Sequence, residues 1–158
     1  MNKTPHIRNF QAGLSVLLLC AAGSLFGQQL TLSINPTSIS FSAADPDVSP
    51  TISANSTVRV QIRITGGGNR NWQLTLRANG NLSDASTTAS IDISNISWTA
   101  TSSPPFQAGT LVANVAQIGA SGTGNVNRTA DLSFVFQNRW TYWAGSYTQT
   151  VTFTLAQL

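Results

Sequence analysis

The chain has no glutamate, and its only cysteine, histidine, lysine and methionine, Cys20, His6, Lys3 and Met1, all fall within the first twenty residues. Beyond them there is no thiol, no imidazole and no amine side chain. Serine and threonine are abundant, but no conventional base stands ready to activate them. The soft ligands of a zinc site are missing, and a disulfide cannot form within the chain. The expectation is a protein that is not an enzyme and carries no cofactor.

Long apolar runs are scarce as well. The single one lies near the N-terminus, where Lys3 and Arg8 precede Leu14, Val16, Leu17, Leu18 and Leu19, and small residues follow. At roughly 11 residues it is too short to span a bilayer, which takes about 20. Basic start, short apolar middle and small-residue end read as a secretory signal peptide over residues 1–27. Cleavage is placed after Gly23 or after Gly27, with the later site preferred. Leu19 is too large for the position before a lipid-acceptor cysteine, so Cys20 reads as a thiol lost with the leader. The mature chain, residues 28–158, is expected as one domain that is exported to the cell surface or periplasm, with no transmembrane span.

Charge is sparse. Charged residues are 8% of the sequence, and the formal net charge of +3 drops once the leader is set aside. Six arginines then face five aspartates, a net charge of +1. A nucleic-acid binder needs a concentrated basic footprint to neutralise phosphates, and these arginines are scattered, so no nucleic-acid partner is expected. Solubility falls to Ser, Thr, Asn and Gln, a composition that suits sheet surfaces.

What the chain does have is alternation with period two. Val58, Val60, Ile62 and Ile64 point one way while Arg59, Gln61 and Arg63 point the other, and Trp72, Leu74 and Leu76 repeat the pattern over residues 71–78. The glycines at 66–68 between them predict a hairpin turn. Leu30, Leu32 and Ile34 mark another strand, Ile39 and Phe41 a third, and Leu132, Phe134 and Phe136 a fourth. Ile91 and Ile93 start one whose parity changes at Asn95, which suggests a bulge. A weaker strand over residues 110–118 gives way to a flexible glycine stretch, residues 119–124, and Tyr147, Val151, Phe153 and Leu155 mark the last strand. With no helical periodicity, the fold class is an all-β, immunoglobulin-like antiparallel sandwich of about seven or eight strands, with Trp72 and Trp98 carrying much of its core. A jelly roll and a small barrel are the alternatives.

Few groups are left for chemistry. Asp45-Pro46-Asp47 reads as turn chemistry, since a glycosidase pair or a calcium loop needs neighbours that this stretch lacks. The triple glycine precedes no helix and no lysine, so it is not a phosphate loop. Trp140, Tyr142, Trp143 and Tyr147 form the best candidate binding surface: flat rings that stack on sugars or anchor a protein, or else cover one end of the core.

Two stretches resemble known families. Trp72-Gln73-Leu74 contains Trp-x-Leu, and Tyr147 to Leu155 is similar to the C-terminal Tyr-x-x-x-(Ile/Val)-x-Trp-x-Leu pattern of WxL-domain cell-surface proteins, with Phe153 at the second tryptophan. That resemblance implies non-covalent association with the cell wall through Trp72, Leu74, Tyr147, Phe153 and Leu155. Gly145-Ser146-Tyr147-Thr148-Gln149-Thr150-Val151 also resembles the Gly-x-Tyr-x-x-x-Val ending of spore-coat-U-like and usher-assembled pilin subunits. This second resemblance implies an immunoglobulin-like domain that lacks a strand until a neighbour donates one. Residues 28–34 are then either the donated strand or the domain's own first strand. The functional expectation is an exported structural or adhesive surface protein, wall-associated in the leading reading and a strand-exchanging pilin or coat subunit in the alternative. A secreted carbohydrate-binding module is a further alternative. Its partners would be a wall polymer, a glycan, another surface protein or a second copy of itself.

Overall fold

The computed structural model describes the backbone of residues 11–20 and the full detail of residues 28–66 and 68–158. The basic start and both cleavage positions of the expected leader lie outside the described residues. Among the described residues thirteen strands follow one another: β1 (Gln11–Cys20), β2 (Gln29–Asn35), β3 (Ser38–Ser42), β4 (Thr51–Ser53), β5 (Val58–Thr65), β6 (Asn71–Ala78), β7 (Leu82–Asp84), β8 (Ser90–Ile91), β9 (Ile96–Ala100), β10 (Gly109–Thr110), β11 (Ala116–Thr123), β12 (Val126–Gln137) and β13 (Ser146–Gln157). There is no α-helix among the described residues, only a 3-10 turn at Ile93–Asn95.

The strands form two sheets that face each other as a sandwich. One runs β11-β6-β13-β1-β3, with β7 also on β13 and β8 on β7; the other runs β10-β9-β12-β5-β2, with β4 also on β12. Period-two alternation accounts for the core between them. Val58, Val60, Ile62 and Ile64 of β5, Trp72, Leu74 and Leu76 of β6, Leu132, Phe134 and Phe136 of β12, and Val151, Phe153 and Leu155 of β13 all sit in one buried apolar cluster. Burying each such side chain contributes about 1.5–3 kcal/mol, so the inward faces hold the sheets together. Trp72 and Trp98 are both in that cluster, as their composition-based role requires.

The expected hairpin of residues 58–78 does not form. β5 is bonded to β2 and β12, whereas β6 is bonded to β11 and β13 in the opposite sheet. Two strands that each bury alternate residues look the same in sequence whether they lie side by side or face to face, and here they face. Gly66 and Gly68, at φ of 72° and 58°, accept the left-handed conformation that lets the chain cross from one sheet to the other.

The parity change near Asn95 has a similar cause and is not a bulge. Asp92 caps the 3-10 turn by accepting the Ser94 N–H at 2.9 Å. Through it the chain leaves β8 in one sheet and enters β9 in the other, burying Ile93 and Ile96. The glycine stretch at residues 119–124 is largely strand as well: β11 continues to Thr123, with its register shift between Ile118 and Ala120. Its glycines serve close packing, since a Cβ on Gly122 would come within 2.6 Å of the Trp72 ring. β2 pairs with β5 over its full length, Gln29 opposite Thr65 to Asn35 opposite Arg59, which makes residues 29–35 a strand of the chain's own sandwich.

Candidate functional site

The arrangement of β1 is the feature most open to a functional reading. β13 lies near the middle of its sheet. Along one edge it is bonded first to β7 at Tyr147 and Thr148, then to β6 from Val151 to Gln157. Along the other edge β1 runs parallel to it for ten consecutive pairs, Gln11 opposite Ser146 through Cys20 opposite Leu155. On its far side β1 runs antiparallel to β3, from Gln11 opposite Ser42 to Ser15 opposite Ser38.

β3 pairs with no other strand among the described residues. Asn55 also anchors it: its Oδ1 accepts the Ser40 N–H at 2.9 Å while its own N–H donates to the Ser40 carbonyl at 2.8 Å. β1 therefore fills a slot one strand wide, with about 10 Å between β13 and β3. The floor of the slot is apolar: Tyr147, Val151, Phe153 and Leu155 on one side, Ile39 and Phe41 on the other, all buried. Its outer rim is made of hydroxyls, Thr148, Thr150, Thr152 and Thr154 on β13 and Ser38, Ser40 and Ser42 on β3.

The eight residues singled out from the sequence divide into two groups. Trp72, Leu74, Tyr147, Phe153 and Leu155 are at most 3% exposed and belong to the core. With β1 in place they form no exposed surface. Trp140 and Trp143 are 67% and 80% exposed, and Tyr142 is half-buried with its ring 5.7 Å from that of Phe136. Both exposed tryptophans sit on the loop between β12 and β13.

That loop is well anchored. Asn138 Nδ2 donates to the carbonyls of Ala44 and Ser49, and Trp140 Nε1 donates to Asp47 Oδ1 at 2.9 Å. The Tyr147 hydroxyl reaches back 2.9 Å to the Trp143 carbonyl. Asp45 Oδ1 accepts the Asp47 N–H, the local turn bond expected for Asp next to Pro. A second recess, about 320 Å³, lies beside Trp72 and is lined by Asn71, Gln73, Ser121, Gly122, Thr123 and Leu158.

Asp84 is the residue that sequence reading missed. It is the one buried charged side chain among the described residues, and its Oδ1 accepts both the backbone N–H of Ser86 at 2.8 Å and the Ser86 hydroxyl at 2.7 Å. These donors hold its carboxyl below the usual carboxylate range. A Cβ on Gly145 would collide with the Asp84 carboxylate, and Tyr147 lies opposite Asp84 in the ladder. Gly145 thus leaves room for the carboxylate that Ser86 holds beside the start of β13. A lone aspartate in a polar stretch gave no periodic signal that could have revealed it.

Because folding lowers the Asp84 pKa, its contribution is present above the unfolded value, about 4, and is lost as pH falls through the folded one. Asp84→Asn is expected to start less stable than the wild type at neutral pH and to lose less on acidification. Urea midpoints measured from neutral pH down through the carboxylate range check this; parallel curves for the two proteins would refute the assignment.

No group of three or more His, Cys, Asp or Glu side chains comes together among the described residues. No helix among them is long and apolar enough to cross a membrane. No protein-family profile matches the chain, and no curated protein matches it in sequence.

Proposed function

We propose that the mature chain is an exported, non-enzymatic structural subunit of the cell surface, whose sandwich is completed by a strand added after its leader is removed. One observation carries this reading: the strand between β3 and β13 is residues 11–20, which is also the apolar middle of the segment that reads as a signal peptide. Cutting the chain before Gln28 takes that strand away. β13 then becomes a sheet edge over ten residues, and β3 loses the only strand partner it has among the described residues.

An open edge with an apolar floor is a template for strand addition, in which backbone hydrogen bonds supply affinity and alternate side chains supply specificity. The similarity of residues 145–151 to pilin endings supports the same reading. Wall association through the Trp-x-Leu residues has less support, because those side chains are committed to the core. A second role is favoured by the anchored loop: Trp140 and Trp143 offer indole faces for adhesive contact with a glycan or a surface protein.

Hydrogen exchange on the exported protein tests the main reading. In the form isolated intact from the cell envelope, amides of Ser38–Ser42 and Ser146–Leu155 are expected to be protected. After denaturation and refolding of the purified mature chain alone, the slot-facing amides of the same segments should exchange among the fastest of any strand. A leaderless monomer that protects both segments without a partner would overturn the proposal.

A further inference from the structure

We infer that the slot is filled by a strand from a different polypeptide, because the mature chain's own N-terminal segment is not free to be given away. This rests on the reading just proposed. A subunit that exchanges strands with copies of itself through its N-terminus needs a spare extension there. To match the ladder that β1 makes with β13, the extension must offer ten residues in register. With cleavage before Gln28, strand β2 begins one residue later, at Gln29. With the earlier cleavage, only residues 24–28 precede it, half the required ladder.

β2 itself is committed. It pairs with β5 over its whole length, Leu32 is 4% exposed, and Leu30 and Ile34 pack against the core cluster. Withdrawing it would bare the outer edge of β5 while filling the slot of a neighbour, an exchange of one open edge for another. Immediately after β2, Pro36 leads into β3, which forms one wall of the slot. The same short segment cannot remain beside the acceptor slot and also travel to the next subunit.

The chemistry of the slot describes the partner. Its floor of Ile39, Phe41, Tyr147, Val151, Phe153 and Leu155 calls for an apolar side chain at every second position of the incoming strand. Its rim of threonine and serine hydroxyls offers no ionic partner, so the outward positions are expected to be neutral and β-branched or hydroxylic. Direction is set by β1, which runs parallel to β13 and antiparallel to β3. The partner is therefore an uncharged, alternating segment of about ten residues from another protein. A subunit of this kind accepts a strand without giving up its own β2.

The test uses the full chain, folded with its leader, carrying a protease site inserted between Ser24 and Leu25. After cutting, the leader strand is held only by non-covalent bonds. Two labelled peptides are then offered, residues 11–20 with Cys20→Ser and residues 28–36, and mass is followed by light scattering. The 11–20 peptide is expected to exchange into the slot, the 28–36 peptide to leave the signal unchanged, and the protein to remain monomeric. Chains that grow into dimers or longer assemblies blocked by the 28–36 peptide would overturn this inference and leave the slot intact as an acceptor. Release of the leader with no uptake of the 11–20 peptide and no loss of stability would overturn the slot itself, and the proposed function with it.

Discussion

Removing residues 1–27 is expected to lower the melting temperature of the chain by more than about 10 °C, the largest effect of any change considered. β1 is bonded along both edges, to ten residues of β13 and five of β3. Each backbone hydrogen bond contributes a net of about 0.5–1.5 kcal/mol, so the loss is on the order of 5 kcal/mol even if only some of these bonds form well. A domain that stands about 5–15 kcal/mol above its unfolded state loses much of its margin. Adding the free 11–20 peptide should restore the melting temperature in proportion to the logarithm of its concentration, as mass action requires. Calorimetry on the two lengths of chain measures both effects. Melting temperatures that agree within error would mean that the slot closes on itself and that β1 adds little.

The second large effect concerns the tryptophans. Trp98 is 1% exposed, its ring lies 6.4 Å from that of Phe134, and its Nε1 donates to the Gln107 carbonyl at 2.8 Å. Gly109 is glycine because a Cβ there would run into the far edge of this indole. Trp98→Ala is expected to cost about 3–5 kcal/mol, for lost burial and the cavity left behind. Trp98→Phe should still cost a hydrogen bond, about 1 kcal/mol, on top of the smaller ring. Trp72 provides the contrast: it is equally central, but its Nε1 is buried with no partner among the described residues. Trp72→Phe removes an unsatisfied donor, so it should be the mildest of the three. Urea denaturation of the three variants gives the order; equal costs for the two phenylalanine substitutions would show that the Gln107 bond contributes nothing.

The strands were legible where one face is apolar and the other polar. Residues 58–65, 71–78 and 147–155 carry their alternation openly, because a half-buried strand must alternate. Partners were not legible. β5 and β6 each satisfy the same pattern, and only the competition of β12 and β13 for their edges decides that they lie in different sheets. The turn at Ile93–Asn95 was hidden because a three-residue 3-10 turn and a bulge shift parity alike. Gly119 and Gly122 suggested flexibility when read alone; their role appears only once Leu76 and Trp72 are seen to occupy the space that side chains would need.

The candidate sites show the same division. The sequence left Trp140 and Trp143 open between a binding surface and a cover for the core, and their 67% and 80% exposure separates them from the half-buried Tyr142. The slot was not anticipated, because residues 11–20 were read for their hydropathy as a leader and so left out of the pairing problem.

The place of β13 bears on how the chain reaches its fold. β13, late in sequence, lies at the middle of its sheet, between β6 and β1, so that sheet cannot close until residues 146–157 are available. β12, likewise late in sequence, joins β9 to β5 in the other sheet. Most tertiary contacts thus link distant parts of the chain, a topology that folds on the order of milliseconds to seconds. A polypeptide emerging N-terminus first therefore keeps both sheets open until β12 and β13 arrive.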